Sequence, residues 1–397
     1  MQYPISERMR QMQPSAIREI LKLATNPGVI SFAAGNPAPE AFPTGDIARI
    51  TADILADNPI GALQYSVSEG YPPLREALQD FLLETYNIRK EGNELLVVSG
   101  AQQAMDFACK VLCDEGDVII TEEPTFLGAL HTFRSYRLNI IGVAMEDDGI
   151  SLEGLERALQ ENRGKVRFIY LIPTFQNPTG LTMSLAKRHA CYQLAEKYGV
   201  VILEDNPYGE LRFAGADIPP IKSFDTAGLV LYIGTFSKIL APGIRVGFVY
   251  GPKDITNRIV VAKQCSDVHT NVLSQILCHR FMTEGDFPGH LEFLRQVYRK
   301  KSGLMLQHLD ATVQGVVSYT RPEGGLFIWC QLPDAWDMPT FVHTLLDANL
   351  AVVPGNAFMI NSDAPAKTFR LNYSTPSDEQ LVEGVGILAS VVAKGHG

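Results

Sequence analysis

The chain has 397 residues, of which 46% are hydrophobic and 20% charged, a composition that supports one large and one small domain with substantial cores. Its formal net charge of −10 argues against nucleic acid or an anionic membrane as a partner. There is no signal-peptide pattern and no apolar stretch of about 20 residues, and the six cysteines form no Cys-x-x-Cys pair. We therefore expect a cytoplasmic protein without a metal site.

Apolar strands and amphipathic helices alternate in the middle of the chain, from about residue 94 to residue 281. The predicted strands are 95–98, 118–121, 139–143, 166–171, 200–203, 229–233 and 246–250. This alternation predicts an α/β fold built on a mostly parallel, seven-stranded sheet with helices on both faces.

A charged, helical segment at about 290–309 leads to a second, smaller α+β unit. Its predicted strands are 316–319, 326–331, 351–353 and 368–372, and its predicted helices are 338–348 and 377–392. We expect a large domain at 45–290 and a small domain that combines residues 1–44 with residues 291–397.

Polar side chains follow several of these strands, at the edge where open α/β sheets bind ligands. Residues 99–103 read Ser-Gly-Ala-Gln-Gln, residues 173–180 read Pro-Thr-Phe-Gln-Asn-Pro-Thr-Gly, and residues 204–208 read Glu-Asp-Asn-Pro-Tyr. The glycine turn at 99–103 opens a predicted helix, whose free backbone donors and dipole suit an anion. On its own, such a junction is usually only a turn.

The most informative segment is 234–247, which reads Gly-Thr-Phe-Ser-Lys-Ile-Leu-Ala-Pro-Gly-Ile-Arg-Val-Gly. Lys238 can meet an aldehyde there, while Thr235, Ser237 and Arg245 can hold a dianionic phosphate beside it. A free lysine has a pKa of about 10.4, so its amine must be desolvated or lie near a cation to react at neutral pH. Arg245 could supply that cation.

These segments resemble pyridoxal-phosphate enzymes of fold type I, the class I and II aminotransferases, because Asn177, Asp205, Tyr208 and Lys238 follow three successive strands in that order. The resemblance implies a pyridoxal 5'-phosphate cofactor bound by the large domain. It implies that Lys238 forms an aldimine with the cofactor and then carries the proton at the substrate α-carbon. Asp205 would keep the pyridine nitrogen protonated, and Asn177 and Tyr208 would donate to the ring phenolate. Without the resemblance, Asp205 could equally be a helix N-cap.

The resemblance implies the remaining cofactor contacts as well. The phosphate ligands would be the backbone of Gly100, Ala101 and Gln102 with Thr235, Ser237 and Arg245, the stacking ring would be Phe126, and Tyr65 would reach the neighbour's phosphate across a homodimer interface. The alternatives are a core position for Phe126 and a core tyrosine, bonded within its own subunit, for Tyr65. No Gly-x-Gly-x-x-Gly or Walker motif is present, which argues against a dinucleotide or nucleoside triphosphate.

The substrate assignments come from the same resemblance. Arg370 matches the arginine that binds the α-carboxylate, with Asn177 beside it. Segments 14–23 and 30–37 are similar to the branch that contains 2-aminoadipate and kynurenine aminotransferases, in which Arg18 would contact a distal carboxylate and Gly35 would line the pocket. The alternatives are an edge-strand position for Arg370 and a helix-surface position for Arg18.

The implied function is transamination of an L-amino acid with a 2-oxo acid by a ping-pong mechanism, with 2-oxoglutarate and glutamate as one pair. A pyridoxal-phosphate lyase of the carbon–sulfur β-lyase type would use the same lysine, aspartate and arginine. A cofactor-binding sensor without turnover is a further alternative. It is disfavoured because relatives that regulate transcription carry a winged helix before this fold, and fewer than 20 residues precede Arg18.

Overall fold

The computed structural model of the protein describes residues 3–10, 12 and 28–395. The strands in these residues are β1 (Ile30–Ser31), β2 (Asn93–Val98), β3 (Val118–Glu123), β4 (Asn139–Glu146), β5 (Gly149–Ile150), β6 (Val166–Leu171), β7 (Val201–Asp205), β8 (Val230–Thr235), β9 (Gly247–Pro252), β10 (Ser318–Tyr319), β11 (Phe327–Gln331), β12 (Leu350–Ala351), β13 (Val353–Pro354) and β14 (Thr368–Asn372). The α-helices are α1 (Glu7–Arg10), α2 (Thr44–Asp57), α3 (Pro59–Leu63), α4 (Pro72–Tyr86), α5 (Ala101–Leu112), α6 (Leu127–Ser135), α7 (Leu152–Glu161), α8 (Leu185–Tyr198), α9 (Lys253–Gln264), α10 (Val272–Glu284), α11 (Phe287–Thr312), α12 (Met338–Asp347) and α13 (Asp378–Lys394).

The large sheet has the strand order β2-β9-β8-β7-β6-β3-β4-β5. The neighbours from β8 to β4 are parallel, whereas β9 is antiparallel to both β2 and β8. All seven predicted strands occur, so the mostly parallel α/β fold is confirmed. The predicted strand count is wrong by one. The extra strand is β5, which turns back against β4 and is too short, at two residues, to show a hydrophobic period.

The central strands are apolar along their length because helices cover both faces of the sheet. Every residue of β8 is buried. Leu231 and Ile233 pack with α5 residues in one core cluster, and Val230, which points to the opposite face, packs with α7 and α8 residues in another. The central strands of the sheet are therefore packed on both faces.

The second unit is built on an antiparallel sheet of order β10-β11-β14-β13. The N-terminal strand β1 pairs in parallel with β12, and the backbone N–H of Asn372 donates to the Phe32 carbonyl at 2.8 Å. The charged helix α11 begins earlier than expected because Asp286 caps it and Pro288 stands in its first turn. The predicted strand 351–353 is split into β12 and β13.

The domain limits at residues 45 and 290 stay a prediction. Among the described helices, none is both long and apolar enough to cross a membrane.

Candidate active site

A cavity of about 450 Å³ lies at the carboxyl ends of β6, β7 and β8. It brings together most of the residues that the sequence singles out: Gly35, Ala101, Gln102, Phe126, Asn177, Asp205, Tyr208, Thr235, Ser237, Lys238, Arg245 and Arg370. A larger cavity of about 960 Å³, between α4 and the start of α11, contains none of them. The smaller cavity is the candidate active site.

Lys238 follows β8, and its Nζ donates a hydrogen bond to the Gly35 carbonyl at 2.8 Å. Desolvation in the cavity, together with the positive charges of Arg370 and Arg245, lowers the pKa of Lys238 to about 8. The sequence expectation named Arg245 as the activating cation, but burial is the larger cause and Arg370 is the larger of the two cationic causes. The amine is thus easier to deprotonate than an exposed lysine.

Asp205 ends β7 and is 3% exposed. Its Oδ2 accepts a hydrogen bond from the Tyr170 hydroxyl at 2.7 Å, whereas its Oδ1 has no partner. Burial raises the pKa of Asp205 to about 6, against the hydrogen bond from Tyr170 and the charge of Lys238, which lower it. The N-cap alternative is wrong, because the next helical turn begins at Gly209 with Tyr208 as its N-cap residue.

Arg370 lies on β14 and is 5% exposed, so it is not on an edge strand. Its Nη1 donates to Asn177 Oδ1 at 2.8 Å, and its Nη2 donates to the Ala33 carbonyl at 2.7 Å. Its Nε has no partner, although it is buried. Rings of Phe327 and Phe358 lie 4.1 Å and 4.9 Å from the guanidinium carbon. Burial lowers the pKa of Arg370 to about 10, which leaves it charged at neutral pH.

Asn177 interacts with two residues of the cavity. Its Oδ1 accepts from Arg370, and its side chain lies close enough to the Tyr208 phenol to lower the phenol pKa. Burial nevertheless holds the pKa of Tyr208 well above its ordinary value, so the phenol is a donor at neutral pH. Two neutral donors therefore lie side by side in the cavity.

The anion cradle forms where β8 and α5 approach each other. Gly100, with a φ of 84°, precedes the first residue of α5, and a Cβ at this position would lie 2.2 Å from Arg245 Nη2. Thr235 donates to the Ser237 hydroxyl at 3.0 Å and accepts from the Ser237 backbone N–H at 3.1 Å. A helix N-terminus, two hydroxyl groups and a guanidinium thus face one place, as a phosphate requires.

Three other predicted residues have different outcomes. Phe126 is only partly buried and lines the cavity, so the purely core alternative is wrong. Tyr65 is 80% exposed and lies outside the cavity, with its ring edge-on to His269 at 5.8 Å, so it is not a core tyrosine. Arg18 lies outside the described residues, and its role is untested.

Comparison with known proteins supplies the family. Residues 27–388 match the family described as "Aminotransferase class I and II". This chain belongs to that family. It is 42% identical over 378 residues to 2-aminoadipate transaminase of Thermus thermophilus, covering 94% of this chain and 93% of the relative. It is 39% identical over 390 residues to aromatic-amino-acid aminotransferase 1 of Thermococcus litoralis, covering 98% and 93%.

A solved structure agrees with this aminotransferase in fold. Kynurenine aminotransferase of Pyrococcus horikoshii, in complex with PMP (pyridoxamine phosphate), matches with a TM-score of 0.95 at 37% identity and covers 98% of this chain and 97% of that one. The resemblance to the 2-aminoadipate and kynurenine branch is thereby confirmed. This protein is an amino-acid aminotransferase, and its cofactor is pyridoxal 5'-phosphate.

The cavity of this aminotransferase fits that cofactor. The unpartnered Asp205 Oδ1 is an acceptor for a pyridinium N–H, and the cradle at Gly100 suits the phosphate. The described residues contain no group of three His, Cys, Asp or Glu side chains that could hold a metal ion.

Several cavity residues were missed from the sequence. Ala33, Phe327 and Phe358 come from segments far along the chain from the cofactor-binding motifs, and no local pattern marks them. Tyr170 could have been found, because a tyrosine inside a buried strand needs a partner for its hydroxyl group.

Proposed function

We propose that this aminotransferase exchanges an amino group between an L-amino acid and a 2-oxo acid by a ping-pong mechanism, with glutamate and 2-oxoglutarate as one pair. One observation carries the proposal: Lys238 and Arg370 line the same cavity, and the buried Nε of Arg370 has no hydrogen-bond partner in the protein. An amino acid can place its α-carboxylate on that guanidinium and its α-carbon beside the lysine amine.

Bound pyridoxal phosphate supplies an aldehyde for the amine and a ring that withdraws electrons from the α-carbon. Lys238 takes the α-proton as a base and returns it as an acid, a task that its lowered pKa favours. Asp205 holds the ring nitrogen, and Asn177 and Tyr208 donate to the ring oxygen. Phe327 and Phe358 exclude water from Arg370, which strengthens its pairing with a carboxylate.

The proposed dicarboxylic pair depends on a second cation for the distal carboxylate. In the described residues the cavity has three cations, Arg370, Arg245 and Lys238, and the roles proposed above occupy all of them. We propose that Arg18 binds the distal carboxylate and that Gly35 lines the adjacent part of the substrate pocket. A Cβ on Gly35 would come within 3.3 Å of the Phe327 ring, so a larger residue would narrow the substrate space.

A kinetic screen of amino donors against 2-oxoglutarate tests the proposal. We expect glutamate formation with at least one donor, and parallel lines in double-reciprocal plots as both substrates are varied. A β-lyase would instead release pyruvate and ammonia from a cysteine conjugate without a 2-oxo acid. Cofactor binding without either reaction would favour a sensor.

We also propose a cytoplasmic homodimer with shared active sites. The exposed Tyr65 supports this assembly, because an apolar ring with one hydroxyl donor suits an interface that borders an anion.

A further inference from the structure

A tyrosine in the large sheet contacts the carboxylate that we assign to the cofactor ring. The Tyr170 hydroxyl donates to Asp205 Oδ2 across 2.7 Å, and both groups are buried. The second oxygen, Oδ1, has no protein partner within the described residues. One oxygen is therefore engaged by the protein, and the other is left for a ligand.

The Tyr170 ring has a fixed position. It lies on β6, in register with Leu203 of β7, and packs edge-on against Phe133 of α6 with 5.4 Å between the ring centroids. The residue is fully buried in the core cluster between the sheet and its helices. Rotation of the phenol away from Asp205 would need the core to rearrange.

The hydroxyl of Tyr170 is the donor in this hydrogen bond. Burial and the nearby Asp205 carboxylate raise the pKa of Tyr170 well above its ordinary value, so the hydroxyl keeps the proton that it donates. The other titratable groups that interact electrostatically with Asp205 are Lys238, Glu122, Tyr208 and Tyr232. Tyr170 and Lys238 both lower the pKa of Asp205 against the effect of burial, and the effect of Tyr170 is the larger of the two. Unlike the lysine, Tyr170 does not change its charge in the working pH range.

We propose that Tyr170 is a positioning residue of this aminotransferase: its hydroxyl fixes the plane of the Asp205 carboxylate and weakens that carboxylate as a proton acceptor. The proton shared with the cofactor's pyridine nitrogen then stays on the nitrogen. The inference rests on the proposed pairing of Asp205 with that nitrogen. Tyr170 itself touches neither the substrate nor the reacting atoms.

The test compares Tyr170→Phe with Tyr232→Phe in holoenzyme that contains pyridoxal phosphate labelled with ¹⁵N in the ring. Tyr232 is a matched control: it is also fully buried, on strand β8, which pairs with the other edge of β7, and its hydroxyl accepts from Asn206 Nδ2 at 2.7 Å instead of contacting Asp205. Tyr170→Phe should move the ¹⁵N resonance toward the value of a neutral pyridine. Tyr232→Phe should leave the resonance at the wild-type position.

Steady-state kinetics give a second measurement. Tyr170→Phe should lower kcat by roughly 10- to 100-fold, because it removes a hydrogen bond to a charged group. The acid limb of the kcat profile should also shift to higher pH in Tyr170→Phe, because burial then raises the pKa of Asp205 with less opposition. An unchanged ¹⁵N resonance in Tyr170→Phe, or an equal shift in Tyr232→Phe, would overturn the inference.

Two further variants keep the test decisive. If Tyr170→Phe does not fold, 3-fluorotyrosine at position 170 replaces it. Its hydroxyl is a stronger hydrogen-bond donor, so the ¹⁵N resonance should stay at the wild-type position or move further toward that of a protonated pyridine. A shift toward neutral pyridine would overturn the inference.

Asp205→Asn separates the two proposals. If it leaves the ¹⁵N resonance unchanged, the pairing of Asp205 with the nitrogen is wrong. If it moves the resonance and Tyr170→Phe does not, only the role of Tyr170 is wrong.

Discussion

Three charged residues that line the cavity, Lys238, Arg370 and Asp205, have pKa values shifted by the same physical cause. Burial disfavours charge, so it lowers the pKa of Lys238 and Arg370 and raises that of Asp205. The opposite charges of Lys238 and Asp205 partly offset the effect of burial on each other's pKa. The site therefore holds its charges at a cost in stability, which is expected where the groups serve catalysis.

At the residue scale, we predict that Lys238→Ala abolishes turnover but still binds pyridoxal phosphate. The cradle at Gly100 and Arg245 and the ring contacts are retained, whereas the proton carrier is lost. General acid-base transfer is typically worth 10²- to 10⁴-fold, so kcat should fall at least 100-fold. Steady-state kinetics measure the loss, and equilibrium dialysis measures cofactor binding.

A small amine provides the control for this variant. Truncation to alanine leaves space for methylamine, which should restore part of the activity in a concentration-dependent way while wild-type activity does not rise. A Lys238→Ala enzyme that keeps a tenth of the wild-type kcat without added amine would refute the role of Lys238.

The sequence predicted the residues that lie on strand ends and missed those that complete the cavity from elsewhere. Asn177, Asp205 and Lys238 stand next to apolar strands, so their common location follows from the topology of a parallel sheet. Arg370 and Asn177 are 193 positions apart, and their 2.8 Å contact depends on how the second unit folds against the sheet. Spacing cannot predict such a contact, and only the resemblance to a family indicated it.

At the element scale, two strand ends are tied together beneath the cavity. Glu122 of β3 accepts hydrogen bonds from the Ile172 backbone N–H at 3.1 Å and from Gln176 Nε2 at 3.3 Å. Gln176 Nε2 also donates to the Pro124 carbonyl at 2.8 Å. The loop that carries Asn177 is thereby joined to the loop that carries Phe126, so the two walls of the cavity cannot move independently.

Glu122→Gln should change how stability depends on pH. Burial is the largest cause that raises the pKa of Glu122 from 4.5 to about 7, so between these values the folded protein holds a proton that the unfolded chain has lost. The contribution of Glu122 to stability is therefore present at low pH and falls as the pH rises through this window. Glutamine imitates the protonated form and does not titrate.

We expect Glu122→Gln to match wild type near pH 4.5 and to be more stable above pH 7, by on the order of 1 kcal/mol for each unit that separates the two pKa values. Urea denaturation of the cofactor-saturated proteins at both pH values measures the difference. Glu153→Gln, on the exposed surface of α7, is the control and should follow wild type. An equal stability difference between Glu122→Gln and wild type at both pH values would contradict the prediction.

The limits of a helix or strand were predictable where the sequence carries a clear local signal. The Gly100 turn marks the start of α5, and the apolar runs mark the strands of the large sheet. The short pairs β5, β12 and β13 were missed or merged, because two residues are too few to show a hydrophobic period.

At the scale of the whole molecule, large apolar side chains are exposed around Tyr65. They are Ile60, Leu63 and Val67 beside it in sequence, and Val268 next to the histidine that contacts its ring. Such an exposed apolar patch is typical of a surface that another chain covers. We take the patch as support for the proposed homodimer, in which Tyr65 would lie at the interface.

The shared site can be tested by mixing two inactive variants, Lys238→Ala and Tyr65→Ala. If Tyr65 serves the neighbouring subunit, a mixed dimer has one site with both substitutions and one site with neither. Activity should then return as subunits exchange, toward a quarter of the wild-type value in an equal mixture, because on the order of half of the dimers are mixed and each has one intact site. Differently tagged subunits measure the exchange, and each variant kept alone is the control. Exchange without recovery would show that Tyr65 acts on the cofactor of its own subunit.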